Sequence, residues 1–210
     1  MTDEDLRSVR ERLGRVGVWL ASLRLAPVDE ERRAVRRIEE LGYGSIWCGE
    51  GIGGKEAFAH QSLLLAATHH IITGTGIANV WARHPATMQG GAATVGAAYP
   101  GRFVLGVGIS HAPMVERSGQ AYQTPLAHMD HYLAAMDAAA PEAPALGAPV
   151  PRVLAALRPK MLALARERSD GAHPYFVPTS HTALARRALA SAFHVRTPSE
   201  LGGSTKHAVL

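Results

Sequence analysis

The feature that most restricts this chain is a hydrophobic pattern whose period switches repeatedly between about 2 and about 3.6 residues. A strand hides alternate side chains and a helix every third or fourth, so a chain that keeps changing period alternates strand with helix. After a short helix at 3–13, strands are expected at 16–23, 45–48, 71–80, 102–109, 152–156 and 174–177. Pro27 and Asp29 open the first intervening helix, in which Ala34, Val35, Ile38 and Leu41 share a face and Gly42 supplies the stop. Further helices are expected at 57–69, 86–98, 124–138, 159–168 and 180–190, which completes six strand-helix units. Strands that return through helices run parallel, so the class is α/β, with a barrel or an open doubly wound sheet as the two architectures. Segment 139–151, rich in Ala and Pro, reads as an extended loop because the rhythm resumes after it. The pattern fails after Ala190, which divides the chain into a domain over 1–190 and an irregular tail over 191–210.

Composition narrows the function classes. With 210 residues, 47% hydrophobic and 19% charged, one domain can bury a sizeable core. Cys48 is the single cysteine, so no internal disulfide can form and a cytoplasmic setting is expected. Met1 to Asp5 lacks the basic start of a secretory signal, and no apolar run is long enough to span a bilayer, so no membrane partner is expected. The formal charge is +4 and the pI about 9.6, but the basic residues are interleaved with acids. Arg32, Arg33, Arg36 and Arg37 lie between Asp29, Glu30 and Glu31 on one side and Glu39 and Glu40 on the other. That cluster reads as a solvated helix face, and no nucleic-acid partner is expected.

Several motifs carry chemistry on paper. Gly49, Gly51 and Gly54 satisfy G-x-G-x-x-G, but the acid required about 20 residues later is missing. Gly49, Gly54 and Lys55 fit G-x-x-x-x-G-K, yet Glu56 stands where a magnesium-binding hydroxyl is needed and would repel phosphates. A barrel loop is the expected reading. His128 and His131 share a helix face without a third ligand at a known spacing, so no metal site is expected. Cys48 reads as a packed thiol rather than a nucleophile. The strand ends are more informative, because in a parallel barrel the C-terminal tips carry the site. Asn79, Trp81, Arg83 and His84 crowd one tip, and Gly106, Gly108, Ser110 and His111 another. Arg83 and His84 also suit capping or solvation, and the paired glycines also suit a bend in the barrel.

Taken in order and spacing, six stretches resemble the luciferase-like monooxygenase family, and within it the oxidoreductases that use the deazaflavin coenzyme F420. They are Gly14–Leu20, Leu41–Glu50, Gly74–Pro85, Pro100–Ser110, Tyr132–Met136 and Arg152–Gly171. The resemblance implies a TIM-like barrel with the cofactor ring at the C-terminal strand tips. It puts Glu50 near the ring as a candidate catalytic acid, with Gly51 in place of a histidine that often follows. It implies a bulge with a non-prolyl cis peptide at Gly76 and Ile77 behind the ring, and Asn79 just beyond. Gly108 and Ser110 would contact the cofactor, and His111 would stand where relatives carry a glutamate, as the proton donor. Arg158, on the loop 155–160, would meet cofactor phosphate at a helix N-terminus, with Thr179 and Ser180 as further contacts.

A complete barrel of this kind has eight units in about 250 residues. The resemblance therefore implies an incomplete TIM-like barrel of about six units, shortened at its C-terminal end, with unpaired edges on strands one and six. The expected activity is hydride transfer between F420, or FMN as the alternative, and a small organic substrate. The competing expectation is a non-catalytic barrel remnant acting as a binding or self-association module, and exposed edges favour a homodimer in either case.

Overall fold

The computed structural model describes residues 3–14, 16–145 and 150–190, so the expected tail over 191–210 and part of the 139–151 loop lie outside the described residues. The elements in chain order are α1 (Asp3–Leu13), β1 (Gly17–Trp19), α2 (Val28–Glu40), β2 (Ser45–Cys48), α3 (Ala57–Ala66), β3 (Ile72–Thr75), β4 (Ala78–Asn79) and α4 (Pro85–Ala98). They continue with β5 (Phe103–Gly108), α5 (Ala112–Arg117), α6 (Pro125–Ala139), β6 (Arg152–Leu154), α7 (Pro159–Arg168), β7 (Gly171–Ala172) and α8 (Thr179–Ala190).

Every strand pair is parallel, in the order β1-β2-β3-β5-β6-β7, with β4 also on β5. This is the curled sheet of an incomplete TIM-like barrel. Alternation within strands decides which layer each side chain enters. Trp47, Ile72, Val104 and Val153 point inward and form a small core with Leu13 of α1. Their neighbours Ile46 and Cys48 point outward into a cluster with Val35 and Leu64. Phe103, Leu105, Val107 and Leu154 do the same against the helices that follow, among them Met88, Met129, Leu133 and Leu162. Inside the curl the indole of Trp47 fills the space over Gly74, where a Cβ would come within 2.4 Å of the ring.

Three expected boundaries need correction, and one helix is added. The first strand stops at Trp19, and Ser22–Arg24 form a 3-10 turn instead. Leu23 looked like a strand residue because it is buried, but what buries it is the helix-side cluster with Val35 and Ile46. The last strand is Gly171–Ala172 and not 174–177. Tyr175 and Phe176 have strand propensity, yet Phe176 is 94% exposed at φ 56°, a conformation no strand uses. Expected strand 71–80 is divided into β3 and β4 by a cis peptide between Gly76 and Ile77, at the position the resemblance implies. Finally, α5 is an added helix in the long connection after β5.

Candidate functional site

Glu50 leaves the tip of β2 and ties three segments together. Its Oε2 accepts from the backbone N–H of Asn79 at 2.8 Å, and its Oε1 accepts from that of Ala57 at 3.1 Å and pairs with the Arg83 guanidinium. The Glu50 and Arg83 side chains are only 5% and 8% exposed. Arg83 also donates to Glu56 Oε1 at 2.8 Å, lies 5.2 Å from the Phe58 ring centre, and its carbonyl accepts from the Tyr132 hydroxyl at 2.8 Å. Burial pushes the Tyr132 phenol well up, which keeps it neutral. Both oxygens of Glu50 are therefore engaged, and its geometry is that of a brace. Arg83, which also suited capping or solvation in the sequence, is the buried partner; His84 is the cap, accepting from Ala86 N–H at 3.2 Å.

The cis-peptide bulge sits at the centre of the strand tips. Gly76 N–H donates to Cys48 O at 2.8 Å, and Ile77 O accepts from Glu50 N–H at 3.0 Å. Trp19, from β1, donates its indole N–H to Gly76 O at 2.8 Å. A Cβ on Gly76 would stand 2.7 Å from Trp19 Nε1 and 3.3 Å from His173 Nε2, so only glycine fits under these two rings. Trp19 also packs on Tyr175, with ring centres 4.7 Å apart, which makes an aromatic ledge that continues to the exposed Phe176. His173 is 6% exposed and lies against Trp47; its Nδ1 has no hydrogen-bond partner, and burial pushes its pKa down to about 4. Trp19, His173 and Tyr175 were not among the expected site residues. No local motif marks them, because the curl of the sheet brings β1 and β7 together.

The remaining expected residues fall in three places. The side-chain position at Gly108 is taken by Ile77 and Ala155, since a Cβ there would meet them at 2.4 and 3.1 Å, so the glycine lets these two pack against the strand. Ser110, at φ 58°, turns the chain from β5 toward α5, and His111 is the exposed N-cap residue of α5. Farther round the tips, Arg158 is the N-cap residue of α7, and Thr179 and Ser180 begin α8. His181 Nε2 meets Leu157 O at 2.7 Å, so those two helix starts are held together.

The glycine loop after β2 is settled by Lys55. Its Nζ pairs with Glu31 and donates to Leu23 O at 2.8 Å. Glu31, 0% exposed, also contacts the buried His60, so this acid of α2 is a core partner and not part of the solvated face expected of it. Burial, as the largest cause, lowers the His60 pKa. Glu56 caps α3, accepting from Ala59 N–H at 2.8 Å. A lysine pinned in this way cannot reach a nucleotide phosphate. Beside the loop lies a cavity of about 310 Å³, walled by Gly51–Gly54, Asn79, Arg24, Leu25, Met114, Arg117 and Ser118. A Cβ on Gly51 would stand 2.8 Å from Arg24 Nη1, so the guanidinium uses space that a side chain at 51 would claim.

A second, more open cleft of about 610 Å³ runs between the β4–α4 connection and α6. His128 stacks on Trp81 there, ring centres 4.1 Å apart, and His131 lines the rim. Burial, ahead of the nearby His131, lowers the His128 pKa. Among the described residues no three His, Cys, Asp or Glu side chains are grouped to hold a metal, and no helix is long and apolar enough to cross a membrane. Cys48 is buried and its thiol is pushed up to about 12, chiefly by burial, so it packs as a hydrophobe.

Comparison with known proteins follows the same lines. The profile of the luciferase-like monooxygenase family matches residues 12–202. A 5,10-methylenetetrahydromethanopterin reductase of Methanolobus tindarius is 24% identical over 161 residues, which are 69% of this chain and 49% of that protein. An F420-dependent glucose-6-phosphate dehydrogenase of Kribbella flavida is 33% identical over 107 residues, 47% of this chain and 32% of that protein. The chain thus spans half or less of the curated relatives it matches. Among solved structures, the coenzyme F420 dependent tetrahydromethanopterin reductase of Methanopyrus kandleri superposes with a TM-score of 0.69 at 16% identity, over 90% of this chain and 62% of that one.

Proposed function

The chain belongs to the luciferase-like monooxygenase family, and from that premise we propose an oxidoreductase that transfers hydride between coenzyme F420 and a small organic substrate, a carbonyl or an activated alkene. FMN is the alternative cofactor. One observation carries the reading: Glu50, the Gly76–Ile77 segment and Asn79 are hydrogen-bonded into a single unit at the C-terminal tips of one parallel sheet. The residues suit a flat ring with an anionic tail. The Trp19–Tyr175 ledge offers an aromatic face beside the bulge. The N-termini of α7 and α8, joined through His181, bring two positive helix ends and Arg158 to one place, which suits a phosphate.

When bound, the cofactor supplies the carbon that accepts or donates hydride. The protein's own residues supply position and a proton. Trp19 holds the Gly76 carbonyl, so the bulge is fixed before a ligand arrives. Glu50 holds Asn79 and Arg83 in register with it. Arg158, Thr179 and Ser180 would hold the cofactor phosphate. His111, one turn beyond the tip of β5, gives or takes the proton at the substrate oxygen or carbon.

Quenching of F420 fluorescence on titration with the protein, with a micromolar constant, is the expected result. Replacing His111 with alanine should lower turnover about a hundredfold and leave that constant unchanged. Absence of binding by both F420 and FMN overturns the proposal; unaltered turnover in the variant removes His111 from it.

A further inference from the structure

The cavity beside the glycine loop is built from donors. Arg24 is half-buried, follows the tip of β1 in a 3-10 turn, and its carbonyl accepts from Lys55 N–H at 3.4 Å, so its backbone is held against the loop. Its guanidinium lies flush on Gly51. Arg117, at the end of α5, lines the same cavity. Neither guanidinium has an ion pair among the described residues. The acids nearest in sequence to the glycine loop do not compensate them, because Glu50 and Glu56 are both taken by Arg83. A third donor stands at the inner wall. Asn79 is 2% exposed and its Oδ1 accepts from Trp81 N–H at 3.1 Å, so what its side chain has left to offer the cavity is the Nδ2 amide.

Two guanidinium forks and an amide N–H, with Leu25 and Met114 as the apolar part of the wall, select for an acceptor-only, negatively charged group. A volume of about 310 Å³ admits one small molecule. Asn79 connects this cavity to the redox unit, since its backbone N–H is bonded to Glu50. We propose that the cavity is the substrate's acid-binding subsite, and that the substrate is a small carboxylate or phosphate monoester held by Arg24 and Arg117 with its other end toward Asn79. This rests on the oxidoreductase reading above. The same anionic chemistry could come from the cofactor phosphate. That group is assigned instead to Arg158 and the starts of α7 and α8, none of which lines this cavity.

The test uses the full chain and three probes of one size: benzoate, phenyl phosphate and the neutral benzamide, titrated by calorimetry. Both anions should bind, and benzamide should bind at least about tenfold more weakly. Arg24→Gln and Arg117→Gln should each weaken anion binding about tenfold, while their circular dichroism and F420 quenching constants stay at wild-type values. Arg158→Gln should leave the anion constant unaltered. Equal binding of benzamide, or wild-type anion affinity in the Arg24→Gln, Arg117→Gln double variant, overturns the subsite. Saturation with F420 should leave anion binding intact; competition assigns the cavity to cofactor phosphate and overturns the proposal. If neither F420 nor FMN binds while the anions bind through Arg24 and Arg117, the oxidoreductase reading fails and takes the substrate assignment with it, and the anion site itself stands.

Discussion

Replacing Glu50 with alanine separates two tasks for a carboxylate at the tip of β2, bracing and proton transfer. The side chain is 5% exposed and serves Asn79 N–H, Ala57 N–H and the Arg83 guanidinium, itself 8% exposed. Removing one member of a buried ion pair costs about 3–5 kcal/mol, because the other charge is left without its partner. Here Glu56 still accepts from Arg83 at 2.8 Å, but it is 50% exposed and water screens it, so it offsets only part of the loss. The expected destabilisation is therefore near the lower limit, about 3 kcal/mol, or roughly 6–12 °C in Tm for a domain of this size. Glu50→Gln keeps the shape and one accepting oxygen but presents an amide to a donor, and should cost about 1–2 kcal/mol. Urea denaturation followed by circular dichroism at pH 7, with m unchanged, measures both. An alanine variant within about 0.5 kcal/mol of wild type that has nonetheless lost turnover would refute the brace and return Glu50 to the chemistry.

Three further outcomes follow from the same geometry. Gly74→Ala places a methyl within 2.4 Å of the Trp47 ring and should cost about 1–3 kcal/mol, and the smaller Trp47→Leu in the same chain should recover part of it; an additive double variant would refute the contact. His173 is buried neutral, with its pKa pushed down to about 4, so between pH 6.5 and 4 the unfolded chain binds a proton that the folded chain refuses. Stability should fall as pH drops through that window and level off below it, by about 3 kcal/mol from this group, and His173→Leu should remove that share of the slope in urea midpoints; parallel wild-type and variant slopes would count against it. Lys55→Met leaves the buried Glu31 without its cation and should cost about 3 kcal/mol, while magnesium-ATP should leave the wild-type Tm unmoved; a nucleotide-dependent rise would revive the phosphate-loop reading.

Much of the candidate site was legible before the fold, but unevenly. The strand ends at 50, 79 and 108–111 were marked by polar residues and glycines at the places where a parallel barrel gathers its tips, and the position of the bulge followed from the family resemblance. Arg24 and Arg117 carried no such mark. Each is one arginine among many on a basic chain, and what distinguishes them is that the fold sets both in the wall of one cavity with Asn79, a property of neighbours and not of spacing. At Gly108, likewise, a glycine at a strand end signals close approach, and only the fold says that Ile77 fills the side-chain position.

Hydrophobic period by itself determined that this chain alternates strand and helix and that its strands run parallel, because the alternation depends on residues a few positions apart. It could not determine where β7 lies, since Gly171 and Ala172 have almost no side chain to show a period, while Tyr175 and Phe176 display one that their backbone does not use. Tertiary structure alone decided the long-range bonds: Trp19 to Gly76 over 57 positions, Arg83 to Glu50 over 33, Lys55 to Glu31 over 24. A face can be read from a pattern, but a partner across that distance exists only once neighbouring strands have paired and set the segments at their tips side by side.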